Sequence, residues 1–579
     1  MNPDGPISAA EKPISLAQKE KRRWLFLAGL LVLLAIVVAI GRPAFSRWQH
    51  DRLIQNATKT LASGNLRSAY LSAQEALLKK PDSTPACVIL AQIAEHEHSP
   101  EAILWRQRLV ELNPRRSSHL LELAATASGL QEIFIAEQAL AQIPAADRGT
   151  VAFHVTVAAV AIAEKQFARA EKEFQSAVAL EPSNENLQLK LATIQLALPQ
   201  SALAHEAVVT LERLRKNPEF RRPALRALLT DARLRGEPAR ARSLARDLRQ
   251  SEGASLEDVL LWLEELQQAQ SPDFDGELHM LQAASAKNGG ATYALMRWMN
   301  ANGLAAQSAQ WCDSLPATIR AQMPVPLAEA EARAALADWK RLRDLVRDKD
   351  WEVLDFLRLA IHARVLFETD GQKRRADFRT MWERATSATR GNPNALVMLG
   401  RLVNGWGWKQ EATEVWWLAA RNNAGQRAAL KALFETYSTG KNTRELYRVA
   451  RRVYEMEPGN PVAKNNVASL ALLLGEDEAE SHRLAAETYR LSPAQPVIAS
   501  TYALSLHKQK RTAEAVGILK KLPPAAMSDP AIAACYGFLL VESGEREAAR
   551  PFLENAERNK AQLFPEEAAM AASALGKLP

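Results

Sequence analysis

The stretch "ESGEREAARPFLENAE", Glu542–Glu557, sets Gly544, Ala549, Leu553 and Ala556 at successive offsets of five, four and three. One such set means little, because alanine is cheap in any helix. The offsets recur. Ala515 and Leu519 stand 34 residues before Ala549 and Leu553. "AEKEFQSAVALEP" gives Ala170, Phe174, Ala177 and Pro182; "AYLSAQEALLKKP" gives Ala69, Ala73, Ala76 and Pro81; "ATEVWWLAA" gives Ala412, Trp416 and Ala419. A small residue lies twelve positions before each first alanine: Ala57, Ala158, Gly400, Ala503 and Gly537. Turn glycines such as Gly64 and Gly544 often lie between. Offsets of four and three place small, large and small residues on one helical face. The pattern therefore reads as two helices, the first with a small residue at its eighth position so that the second can approach. A proline at the end, as at Pro81 and Pro182, helps stop the second helix.

These positions resemble the tetratricopeptide repeat (TPR), a helix–turn–helix unit of about 34 residues. The resemblance covers nearly all of residues 50–579. Near-complete copies fall at about 50–83, 84–116, 151–184, 393–426, 427–460, 462–495, 496–529 and 530–563, and looser ones at about 117–150, 185–220 and 221–253. From 254 to 392 the register is poor, although "ANGLAAQSAQWCDSLP" and "LADWKRLRDLV" still read as helix–turn–helix pieces. "PEEAAMAASALGKLP" reads as a capping helix. The resemblance implies a right-handed superhelix of about 12–15 hairpins with a concave groove lined mainly by first helices. It further implies a scaffold or adaptor that binds peptides, helices or protein surfaces. Membrane-anchored bacterial members of the family take part in envelope assembly and secretion complexes.

Composition agrees with an all-α fold. Hydrophobic residues make up 47% and charged residues 24% of 579, and helix formers dominate. The formal charge of +7 is mild for this length and does not by itself imply nucleic acid. Cys87, Cys312 and Cys535 lie too far apart for a CxxC site and read as helix-packing residues.

"WLFLAGLLVLLAIVVAI", Trp24–Ile40, runs seventeen residues without a charge. Twelve of them are Leu, Ile, Val or Phe. Together these favour insertion by about 4 to 7 kcal/mol. A cleaved signal peptide has a shorter apolar core and an A-x-A-like site, which "AIGRPAFS" matches poorly. The expected plan is a polar tail at 1–22, one transmembrane helix at 23–45, an N-terminal array at 46–253, degenerate helical repeats at 254–392, and a C-terminal array with its capping helix at 393–579. Five basic residues precede the span and four follow it, so the N-terminus is expected inside and the body outside the inner membrane. A cytoplasmic-facing body is the alternative.

Catalytic signatures are missing from the sequence: no phosphate loop, GxGxxG, GxSxG or HExxH is present, so no enzyme activity and no cofactor are expected. Glu95, His96, Glu97 and His98 read as a polar turn rather than a metal site. Arg213–Arg249 holds twelve basic and four acidic residues, among them Arg221, Arg222 and Arg226, and 372–379 is a smaller relative. Such a face suits an acidic protein or polymer, as in a polysaccharide or protein export machinery, or a solvated surface with local ion pairs. Nucleic acid is disfavoured because no aromatics interleave. Arg401, Asn404, Trp406 and Trp408 surround the turn "NGWGW", where the tryptophans serve either as exposed anchors or as packing. Trp416 holds the bulky core position. Lys431 and Asn466 fall on the groove side, but Glu435 leaves a carboxylate clamp incomplete.

Overall fold

The computed structural model describes residues 45–198, 203–347, 350–370 and 375–578. The apolar run 24–40, and with it the expected transmembrane helix, lies outside them. Among the described residues no helix is long and apolar enough to cross a membrane. Those residues are all-helical, with no strand.

Among the described residues the helices pair into fifteen hairpins, from 45–62 with Leu66–Lys79 to Pro530–Ser543 with Arg546–Arg558. Each hairpin is a TPR-like helix–turn–helix repeat. Two compact units divide the chain between Asp247 and Leu248. The stretch 254–392 is built from hairpins like the rest, including Gly289–Ala301 with Ala305–Ser314 and Val325–Ala335 with Trp339–Arg347.

The signature positions are where the two helices of a hairpin touch. Ala549, Leu553 and Ala556 are fully buried, as are Ala69, Ala73 and Ala76. Opposite them, a Cβ on Gly537 would stand 2.7 Å from Leu553 Cγ, and one on Gly400 would stand 2.8 Å from the Trp416 ring. The first helix thus yields space that the second fills. Starts are set by short polar caps. Asn184, Asn217, Asn392, Asn460 and Asp529 accept hydrogen bonds from the first backbone N–H groups of the helices they precede. Proline at the first turn follows several of these caps, as at Pro393, Pro461 and Pro530, where its missing N–H costs nothing.

The turn is more regular than the side chains. Every hairpin whose turn is described has a residue of positive φ there (two, Gly475 and Asp477, in one case), and the first such residues of adjacent described turns are spaced by 33 to 35 residues. Gly544 is the glycine form, at φ +93. His98, Gln131, Lys165, Gln270, Ala337, Lys441 and Lys510 take the same conformation with a side chain attached. The left-handed backbone costs such residues roughly 1–2 kcal/mol, and helix pairing holds them there.

Unit 2 ends on Pro565–Leu575, and this helix turns back across the repeats before it. Leu563, Ala571 and Ala574 are buried in one cluster with Leu539, Leu540 and Leu553. Phe564 reaches the turn of the hairpin three before the last, where the Lys441 ammonium sits 5.1 Å from its ring centroid. Lys441 Nζ also donates to the Gln562 carbonyl at 2.5 Å, and the Thr443 hydroxyl donates to Glu566 at 2.5 Å. Beneath the helix remains a cavity of about 260 Å³, lined by Phe434, Leu470, Leu504, Cys535, Phe564 and Met570 among others. Burial pushes the Cys535 thiol up to about 11.

Three outcomes follow from this packing. Gly537→Val drives a side chain into Leu553 and lowers unfolding stability by about 1–3 kcal/mol in denaturant titration. Ala337→Gly, at an exposed turn with φ +54, raises stability by about 1 kcal/mol. Phe564→Ala loosens the terminal helix, so a maleimide labels Cys535 faster at pH 8 while the fully buried Cys87 and Cys312 stay slow; mass spectrometry of the labelled peptides reads the difference.

Candidate functional site

The first helices of the fourth, fifth and sixth hairpins, Val151–Ala163, Glu185–Ala197 and Pro218–Leu234, form a groove in unit 1. Its volume is about 560 Å³. Two of the helices contribute the same face. Glu185–Ala197 lines it with Asn186, Leu189, Lys190, Thr193 and Ala197, and Pro218–Leu234 with Pro223, Arg226, Ala227, Thr230 and Leu234. Both sets follow offsets of three, four, seven and eleven, which is one helical stripe. Val155, Ala159 and Ile162 continue the surface on the first helix.

The lining is mainly apolar, with charge at defined points. Leu234 is 72% exposed and Ile162 36%, so both offer apolar surface that packing in this unit leaves open. Thr193 and Thr230 donate their hydroxyl protons back to the Leu189 and Arg226 carbonyls at 2.7 and 2.9 Å. Those hydroxyls are therefore satisfied within their own helix. Lys190 and Arg226 supply positive charge. Asp231, 2% exposed, is tied to Arg235 at 2.6 Å and Arg240 at 3.5 Å. The Asp231 hydrogen bond and charge raise the Arg235 guanidinium further. The groove can thus hold an amphipathic segment with an apolar face and an acidic group near Arg226 or Lys190.

The other residues singled out from sequence are dispersed. Arg221 and Arg222 sit one turn before Arg226 and do not line the groove. Within the basic stretch, Arg213 pairs with Glu185 at 2.8 Å and Arg215 with Glu212 at 2.9 Å. The relative at 372–379 lies partly outside the described residues. Arg401 and Asn404 are exposed on Pro393–Gly405. Trp406 and Trp408 are half-buried, with ring centroids 5.2 Å apart. Trp408 meets Phe367 and Phe378 edge-on at 5.2 and 5.4 Å, and Trp406 lies under the Arg364 guanidinium at 4.9 Å. Trp416 is 3% exposed, filling the space left by Gly400. Lys431 is exposed, and Asn466 lines the cavity beneath the terminal helix. The structure does not gather these residues into one site.

His96 and His98 are exposed at their turn, but Glu95 faces inward. Arg106 donates to both its carboxylate oxygens at 2.8 and 3.0 Å and to Glu122 at 2.5 Å, while the Thr126 hydroxyl also donates to Glu95. Burial opposes ionisation of Glu95, yet the Arg106 and Thr126 hydrogen bonds hold it below the usual carboxylate range. The cluster ties the second hairpin to the third. Among the described residues no group of three or more His, Cys, Asp or Glu is arranged to hold a metal ion.

No protein-family profile matches the chain, and no curated protein matches it. Many solved structures are similar in part, among them the following three. Pseudomonas aeruginosa PilF is 18% identical, covering 39% of this chain and 99% of its own, with a TM-score of 0.29. The APC/C hetero-tetramer Cut9–Hcn1 is 12% identical, covering 81% of this chain and 99% of its own, at 0.27. Naa15/Naa10 bound to HypK-THB is 15% identical, covering 85% of this chain and 77% of its own, at 0.24. At these scores the likeness supports no superposition of whole chains, and the groove is read from its own residues.

Proposed function

We propose that the chain is a scaffold that holds other proteins beside a membrane, in a bacterial envelope complex, with binding rather than catalysis as its role. The observation that carries the binding role is the open apolar groove on Val151–Ala163, Glu185–Ala197 and Pro218–Leu234. Its lining sits on three helices fixed by their hairpin partners. A segment that docks there therefore meets a preformed surface, which lowers the ordering cost of binding. The uncharged run Trp24–Ile40 supports the anchor, and anchoring raises the effective concentration of partners at the bilayer. The basic residues on its two sides support an N-terminus inside and a body outside the inner membrane. The envelope setting follows from the membrane-anchored members of the family that the repeat resembles.

The test uses the full chain in intact membranes. A photocrosslinking amino acid at Thr193 or Leu234 is expected to give discrete adducts that disappear in an Ile162→Glu, Leu234→Glu double variant. The same probe at Lys172, exposed on the second helix of the fourth hairpin, is expected to give none. Identical adducts from all three positions, or none from the groove, would refute the docking role. Replacing Leu30, Leu31, Leu33 and Leu34 by Gln is expected to move the chain from carbonate-washed membranes to the soluble fraction. A reporter fused after Pro579 reads which side the body occupies.

A further inference from the structure

A second cleft lies in unit 2, among second helices. It opens between Lys409–Ala419 and Thr443–Met456 and holds about 500 Å³. Arg444, Arg448, Arg451 and Arg452 project into it from one helix, at offsets of four, seven and eight, and Arg421 faces them from the end of the other.

These guanidinium groups differ in how firmly they are engaged. Arg451 is structural: it binds Glu480, with Asp477 at 3.7 Å. Arg448 is held in place, its guanidinium 4.2 Å from the Trp417 ring centroid. Trp417 is fixed in turn by its indole N–H, which donates to the Tyr437 hydroxyl at 3.1 Å. Arg448 Nη1 also pairs with Glu445 at 3.5 Å, an exposed contact that an incoming carboxylate can replace while the stacking keeps the guanidinium plane in position. Arg444 is 77% exposed and pairs with Glu476 at 3.5 Å, and Arg452 is 54% exposed and pairs with Glu455 at 2.9 Å. Pairs this exposed contribute little to stability, so an incoming anion displaces them readily. Arg421 is exposed, and no side-chain partner engages it among the described residues.

We propose that this cleft binds an acidic polypeptide segment, through carboxylates received by Arg421, Arg444, Arg448 and Arg452. Arginine matches carboxylate bidentately, and Trp417 and Tyr447 give the cleft aromatic surface for apolar residues between the acids. Glu445, Glu455 and Glu476 alternate with the arginines. They break the positive surface into separate points, which suits acids spaced along a peptide better than an unbroken run of negative charge. This surface is separate from the groove of unit 1, and its failure would leave that reading standing.

The test uses the full chain in non-ionic detergent and a fluorescein-labelled peptide of repeating Glu-Glu-Leu. The peptide is expected to bind, to weaken as salt rises, and to lose at least tenfold in affinity in an Arg421→Glu, Arg452→Glu variant. A milder Arg421→Gln, Arg452→Gln variant, whose thermal unfolding is checked beside it, is expected to lose at least threefold and keeps the test sound if charge reversal perturbs folding. Arg221→Glu with Arg222→Glu is expected to leave binding unchanged. The proposal is overturned by equal binding of a Gln-Gln-Leu peptide, by affinity unaffected at Arg421 and Arg452, by loss on changing Arg221 and Arg222 instead, or by a single-stranded oligonucleotide of equal charge that outcompetes the peptide.

Discussion

The fold rests on the close fit between the two helices of a hairpin, most often a small residue on the first helix against a large one on the second. Where Gly537 faces Leu553 and Gly400 faces Trp416, the gap left by the missing side chain is the seat of the other. Close packing of this kind leaves no freedom to slide, because interiors tolerate neither voids nor overlap. Each hairpin is thus a rigid element, yet it has two apolar sides and must be stacked to hide them. The grooves are by-products of that stacking. The stripe that carries Leu189, Thr193 and Ala197 lies on the face that hairpin packing leaves open.

Reading the sequence found the repeats where side chains obey the small–large–small order and lost them where they do not. Counting from the turn residue, Gly544 leads to Gly537, Ala549, Leu553 and Ala556. The same count from Gly303 meets Met296, Ser308, Cys312 and Leu315, all buried. There the large residue sits on the first helix and the small ones on the second. The order of large and small is exchanged there, and all four positions are still buried. From Gln270 the count meets Leu263, Asp275, His279 and Gln282, and no trace of the pattern survives. What persists through 254–392 is the backbone: a left-handed residue at Gln270, Gly303 and Ala337 keeps the period. A side-chain search is blind to it, because only glycine announces that conformation in a sequence.

The same limit governed the sites. Arg226 was visible as part of a basic stretch, but its place in an apolar groove depends on Ile162 and Leu189, which belong to other hairpins. The basic character of that stretch is partly spent on ion pairs such as Arg213 with Glu185. The arginine cleft drew no notice in the sequence, since Arg421 and Arg444 are separated by a whole helix, and Trp417 reads there as one tryptophan among several. Trp406 and Trp408 sit beside a turn, and only the placement of Phe367, Phe378 and Arg364 shows what surrounds them. Spacing within one helix is legible; adjacency between helices needs the fold.

The folded-back last helix has a bearing on how such a chain can grow or join another. The terminal unit of any stack ends in a naked apolar flank that would accept a further unit, from the same molecule or from a neighbour. Here Leu563, Ala571 and Ala574 cover that flank, while Phe564 and Glu566 fasten the cover to Lys441 and Thr443. A further unit stacked on that flank would first have to displace the Pro565–Leu575 helix.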